Sequence, residues 1–153
     1  MSRLPSALAL ALAVALAACG SSKPAPVEQP VAATDTRSLY ERLGGTPAIT
    51  AVVEEFVATT GNDPRISMFF TNADVPRLKQ MMVDHICSIT GGGCEYTGKS
   101  MKESHTDMHV KEEHFAAFMD DLAKTLDKLN VPAREKSEVL AAFEGMKADV
   151  VEP

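Results

Sequence analysis

Four histidines, three cysteines and eight methionines hold most of the coordination and redox chemistry open to this 153-residue chain, and they are unevenly placed. His105 closes the stretch GGGCEYTGKSMKESH, Gly91 to His105. An imidazole on a short amphipathic segment behind a glycine-rich loop, with Met101 one turn before it and Met108 one turn after, is a base in apolar surroundings. Such a group is either an axial ligand to a metal centre or a hydrogen-bonded core histidine. His109 lies one turn further on, a spacing that can place two imidazoles on one helix face for zinc, but no carboxylate or cysteine completes that set. His109 and His114 are therefore read as surface or helix-start residues. Met81, Met82 and His85 form a second soft-donor group within about one helical turn.

Cys87 and Cys94 flank Gly91-Gly92-Gly93. Their spacing permits a disulfide from a helix end to the following loop, which an oxidising compartment would favour. Closing so short a loop contributes roughly 2 to 3 kcal/mol on the chain-entropy model. The alternative is a pair of reduced, buried thiols.

The elements that must position these residues are helical. Ser38 with Glu41 is a capping box, and Gly44-Gly45 ends the short helix it starts. Thr46 as N-cap and Pro47 at the first helical position restart the chain, with Ile49, Val52, Val53, Phe56 and Val57 as an apolar face. Asp63-Pro64 opens a short helix ending at Phe69-Phe70. Asp74 and Pro76 begin a helix carrying Leu78, Met81, Met82, His85, Ile86 and Ile89, which Gly91 stops. Four glycines deny regular structure to Gly91 to Ser100, and Met101 to His105 has room for about one turn. Two further apolar repeats, Phe115 to Leu129 and Val139 to Val150, are separated by Asn130-Val131-Pro132 and predict an antiparallel helix pair. No run alternates with period 2, so the fold class is all-α.

Residues 1–18 read as a signal peptide: Arg3 gives the positive start and Leu8 to Leu16 the apolar run, too short to span a membrane. Leu16-Ala17-Ala18-Cys19 resembles a bacterial lipoprotein cleavage box, in which Cys19 becomes the acylated N-terminus. Residues 19–36 then form a lipid anchor and a Pro-, Ala-, Ser- and Thr-rich stalk, predicting a chain tethered to a membrane on its periplasmic or cell-surface side. Net charge is −6 and the basic residues form no stripe, which disfavours nucleic acid as a partner. Neither a phosphate-binding loop nor a nucleophile elbow is present, which removes the usual nucleotide-binding and hydrolase signatures.

Taken together, Ser38-Leu39-Tyr40-Glu41-Arg42-Leu43-Gly44-Gly45, Phe69-Phe70, Arg77-Leu78-Lys79, the Gly91–His105 stretch and His114-Phe115 resemble, in this order, the group 1 truncated haemoglobins. The likeness runs from about Arg37 to Val151 and implies a truncated globin domain over 37–153, a two-over-two helical sandwich around a non-covalent haem b and its iron. Haem needs an axial base, an apolar slot and polar groups at its rim, and the sequence offers all three. The resemblance makes His105 the proximal ligand and sets Phe70 against the haem plane. It puts Met101 beside the ligand, Tyr96 and Lys99 on the approaching loop, and Val57, Leu78 and Met82 on the distal side.

On that distal side the sequence departs from the pattern, because many relatives carry a tyrosine and a glutamine where Val57 and Met82 stand. Few hydrogen-bond donors then remain to hold O₂, Thr60 being the nearest hydroxyl. His85 stands where an aromatic is common and is a candidate sixth iron ligand, as are Met81 and Met82. The resemblance implies reversible binding of a diatomic gas, O₂, NO or CO, by a carrier, sensor or nitric oxide scavenger. Internal ligation would instead give a six-coordinate electron-transfer protein, and a purely structural His105 would leave a haem-free interaction lipoprotein. No general base or nucleophile is visible, and any dioxygenase activity would be iron chemistry needing an unidentified reductase.

Overall fold

The computed structural model describes residues 35–152. The predicted signal peptide, Cys19 and nearly all of the stalk lie outside the described residues. Within them the chain forms seven α-helices and one 3-10 turn, with no strand. They are α1 (Leu39–Leu43), α2 (Gly45–Asn62), the 3-10 turn (Ser67–Phe70), α3 (Val75–Ile89), α4 (Met101–His105), α5 (Glu112–Lys128), α6 (Ala133–Glu144) and α7 (Lys147–Val150). The fold is the two-over-two helical sandwich: α2 packs on both α3 and α5, and α5 packs on α6.

The punctuation explains the boundaries. Ser38 accepts from the Glu41 amide at 3.2 Å while the Glu41 carboxylate accepts from the Ser38 amide at 2.9 Å, completing the capping box. Gly44 ends α1 at φ +100°, a left-handed conformation that glycine adopts without Cβ strain. The next start differs from the sequence expectation, since α2 begins at Gly45 and Thr46 is not its N-cap. Tyr40 takes over that role: its hydroxyl accepts from the Thr46 amide at 3.0 Å and bonds the Thr46 hydroxyl at 2.8 Å, satisfying a helix-end donor from outside the helix. Asp63 organises a tight turn, with its backbone carbonyl accepting from Ile66 and Ser67, and the short helix after it is 3-10. Asp74 caps α3 as expected, accepting from the Arg77 amide at 3.2 Å.

The core joins α2, α3, α5 and α6 through Val53, Phe56, Val83, Ile86, Leu122, Leu126, Val139 and Phe143, all buried. Each such side chain contributes roughly 1.5 to 3 kcal/mol on leaving water. Phe56 meets Phe118 edge-on with centroids 4.9 Å apart. Between α1 and α6, Arg42 reaches Glu135 at 3.2 Å and also pairs with Glu138. The last apolar repeat is not one continuous helix. The chain turns at Gly145 and Met146, and α7 is a separate short helix.

Candidate functional site

Phe56, Phe70, Leu78, Met82, Phe115 and Phe143 help to enclose a cavity of about 490 Å³ between the helix layers. The wall is mainly apolar, and Met81, Met82, Met101, Met108 and Met146 all contribute to it. Methionine suits such a surface because its unbranched thioether adapts to an irregular or planar contact.

His105, His85, Phe70, Leu78, Met82, Tyr96, Lys99 and Met101 all line this one cavity. Val57 does not, which corrects its expected place on the distal wall. Its short β-branched side chain stops within the core, 8% exposed, while the neighbouring Phe56 ring is long enough to belong to both the core and the cavity wall. Thr60 is also absent from the wall. It is fully buried and its hydroxyl donates to the Phe56 carbonyl at 3.0 Å, so it offers the cavity no donor. Thr97 is exposed and outside the lining.

His105 is the last residue of α4, a helix held by its own capping box: the Ser100 hydroxyl accepts from the Glu103 amide at 3.2 Å, and the Ser100 amide donates to the Glu103 carboxylate at 3.0 Å. The chain then reverses through Asp107 and His109, both at positive φ. Glu152 clamps that reversal, accepting from the His109 amide at 3.0 Å, while its own amide donates to the Val110 carbonyl at 2.9 Å. The His105 ring is fixed in turn. Nδ1 donates to the Met101 carbonyl at 2.7 Å and lies 3.2 Å from the Ser104 hydroxyl, while Nε2 has no hydrogen-bond partner among the described residues.

Across the cavity His85 is half-buried against Tyr96, with ring centroids 4.8 Å apart, and neither ring nitrogen has a hydrogen bond among the described residues. Burial pushes its pKa down, favouring the neutral imidazole. Cys87 and Cys94 form a disulfide with a Cα–Cα distance of 5.7 Å. Gly92 makes the approach feasible, because a Cβ there would lie 2.5 Å from Cys87 Sγ and 2.6 Å from the Tyr40 ring.

Among the cavity residues that sequence reasoning did not assign to the site are Arg77 and His114. Arg77 lines the wall and, like Lys99, has no carboxylate partner among the described residues, whereas Arg37, Arg42, Arg65 and Lys79 are each paired. Its signal was a cation in the first turn of α3 beside Leu78. His114 fills the expected helix-start role, accepting from the Lys111 amide at 3.1 Å, but it also stands edge-on to Phe69 and lines the cavity. His109 is exposed and pairs with Glu152, and no cluster of three metal-binding His, Cys, Asp or Glu side chains exists among the described residues.

A more open groove of about 610 Å³ is walled by Glu55, Asp63, Arg65, Asp121 and Lys124. Arg65 beside Asp63 holds that carboxyl down to about 2, while burial pushes Asp121 up. The groove carries no histidine or thioether, and its charges largely answer one another. Coordination chemistry belongs to the apolar cavity.

Comparison with known proteins agrees with this geometry. A model of the family described as bacterial-like globin matches residues 38–152. A group 1 truncated hemoglobin of Mycolicibacterium paratuberculosis is 34% identical over 113 residues, covering 74% of this chain and 83% of the relative. One from Tetrahymena pyriformis is 32% identical over 75% of this chain and 95% of its own length. The crystal structure of the Tetrahymena protein in its Fe(III) form superposes with a TM-score of 0.73, covering 76% of this chain and all of that one. A Synechococcus 2/2 hemoglobin, solved in the cyanomet state with covalently attached heme, superposes with a TM-score of 0.72 at 33% identity over 75% of this chain and 98% of that one. The chain belongs to the bacterial-like globin family, within the group 1 truncated haemoglobins.

Proposed function

We propose that this protein binds haem b non-covalently in the 490 Å³ cavity and uses it to take up a diatomic gas reversibly. The observation that carries the reading is His105, whose Nδ1–H is committed to a backbone carbonyl at 2.7 Å, leaving Nε2 without a protein partner in a mainly apolar cavity. The residues present fit the group. Apolar and thioether side chains suit the faces of a macrocycle, His105 supplies the axial base, and the unpartnered cations Arg77 and Lys99 suit its two carboxylates. When bound, haem iron supplies the coordination position at which a gas is held.

The protein's own part is to set how tightly. Leu78 and Met82 present no hydrogen-bond donor and Thr60 is turned to its own helix, so an O₂ out of reach of the His85 N–H would dissociate quickly. A carrier or sensor role suits that wall, and nitric oxide scavenging would need an external electron donor. A second reading is favoured by one observation, the neutral and unpartnered His85 ring in the cavity wall: if it or Met82 took the sixth iron position, electron transfer would replace gas capture.

The same proposal places the domain outside the cytoplasm, tethered by lipid on Cys19 through the stalk. It rests on residues 1–36 alone, and the mass of the mature N-terminus checks it. The cavity reading is tested by haem titration of wild type and His105→Gly. Wild type should bind haem stoichiometrically, and the variant should lose about a hundredfold or more in affinity, at or beyond the upper end of what losing a ligand's outer-shell partner costs, and recover on adding free imidazole. Undiminished haem binding by the variant would place the axial base elsewhere.

A further inference from the structure

The loop between α3 and α4 forms one wall of the cavity through Tyr96, Gly98 and Lys99. Among the described residues no backbone–backbone hydrogen bond involves residues 93–99. The Tyr96 hydroxyl donates only to the Lys99 carbonyl, 2.8 Å away within the same loop, and Gly98 has no side chain because the Tyr96 ring occupies that space, where a Cβ would fall 2.3 Å from the hydroxyl. The loop is thus folded around its own tyrosine. It is tied to α3 by the Cys87–Cys94 disulfide and by the contact of the Tyr96 ring with His85. These are in register: Cys87 follows His85 by two residues on α3, and Cys94 precedes Tyr96 by two on the loop.

We infer that the Cys87–Cys94 disulfide is a redox latch on the haem cavity, holding Tyr96 and Lys99 in the wall and so setting how fast haem is lost. The inference rests on the haem reading of the cavity. Cys87 is fully buried while Cys94 is partly exposed, so a thioredoxin-like dithiol attacks at Cys94 Sγ. The reductant's thiolate forms a mixed disulfide with Cys94 as the protein S–S bond breaks and Cys87 leaves as a thiolate. The reductant's second thiol then resolves the mixed disulfide. The protein gains two electrons and two protons as two cysteine thiols, and the dithiol becomes a disulfide. Reduction removes the covalent tie between the loop and α3, and local opening of such a segment exposes the haem edge to water.

The test is haem transfer from the ferric full-length protein to excess apomyoglobin, with and without a phosphine reductant, with thiols counted in parallel. Reduction should speed haem loss on the order of tenfold, the scale of a local opening of a kcal/mol or so. Cys87→Ser/Cys94→Ser should match the reduced wild type. If that double variant does not fold, Tyr96→Ala supplies the same information with the disulfide intact: it should lose haem as fast as the reduced protein and respond little to reductant. Equal loss rates for oxidised and fully reduced wild type would overturn the latch while leaving the haem reading intact. No haem uptake at all would overturn both.

Discussion

At the scale of single residues, His105 and His85, two of the three imidazoles in the cavity wall, differ in their hydrogen bonding. His105 spends Nδ1 on the Met101 carbonyl and is a fixed, oriented base; His85 has no such bond and is held by ring packing alone. That difference supports the proposed proximal role of His105, and it was legible in sequence only as a histidine one turn after Met101. Its partner is a backbone carbonyl, available to any helical residue, so no residue type announced it. Val57 illustrates the opposite failure. The residue matched a family position, but its burial depends on which neighbour fills the cavity wall, and Phe56 does so. With Val57 and Thr60 both withdrawn, Met82 is the distal position from which a donor is most simply introduced. Met82→Gln keeps the side-chain length and adds an amide, and should slow O₂ dissociation by about tenfold or more; stopped-flow displacement of O₂ by CO reads the rate, and no change would mean that residue 82 does not face the bound gas.

At the scale of elements, the strong signals were local ones. Capping at Ser38 and Asp74 and the glycine stops at Gly44 and Gly91 are each set within a few residues, and the structure keeps them. The Ser100–Glu103 box was present in the sequence too, as Ser-x-x-Glu ahead of Met101's short helix, but it was overshadowed by the glycines before it. What the sequence hid were the contacts between elements distant along the chain. Tyr40 caps α2 across the turn, Glu152 clamps the loop after His105, and Arg42 ties α1 to α6. The Arg42 side chain is only 5% exposed and its loss would strand Glu135 beside Glu138. Arg42→Ala should therefore cost about 3 kcal/mol, a buried charge losing its partner, read as a lowered denaturation midpoint in urea. A shift below about 0.5 kcal/mol would mean that water already supports those carboxylates.

At the scale of the whole molecule, two helix pairs closing on a space they cannot fill make the cavity, and no local stretch of sequence encodes its volume. The apolar periodicity of α2, α3, α5 and α6 predicted the layers, since each helix needs a partner for its buried face. The gap follows from shorter pieces: the 3-10 turn, the open loop and one turn of α4 leave Phe70, Tyr96 and His105 around an opening that long helices would have sealed. Only the family pattern turned those three positions into a cofactor site in advance. The claim that this opening holds an iron accessible to gas is met most directly by the anaerobic optical spectrum of the ferrous, haem-loaded protein before and after carbon monoxide. An open position predicts a single broad visible band that CO rapidly converts to two. Sharp split bands that yield only slowly to CO would show an internal sixth ligand and contradict gas binding as the resting function, and a chain that takes up no haem would contradict the account at its root.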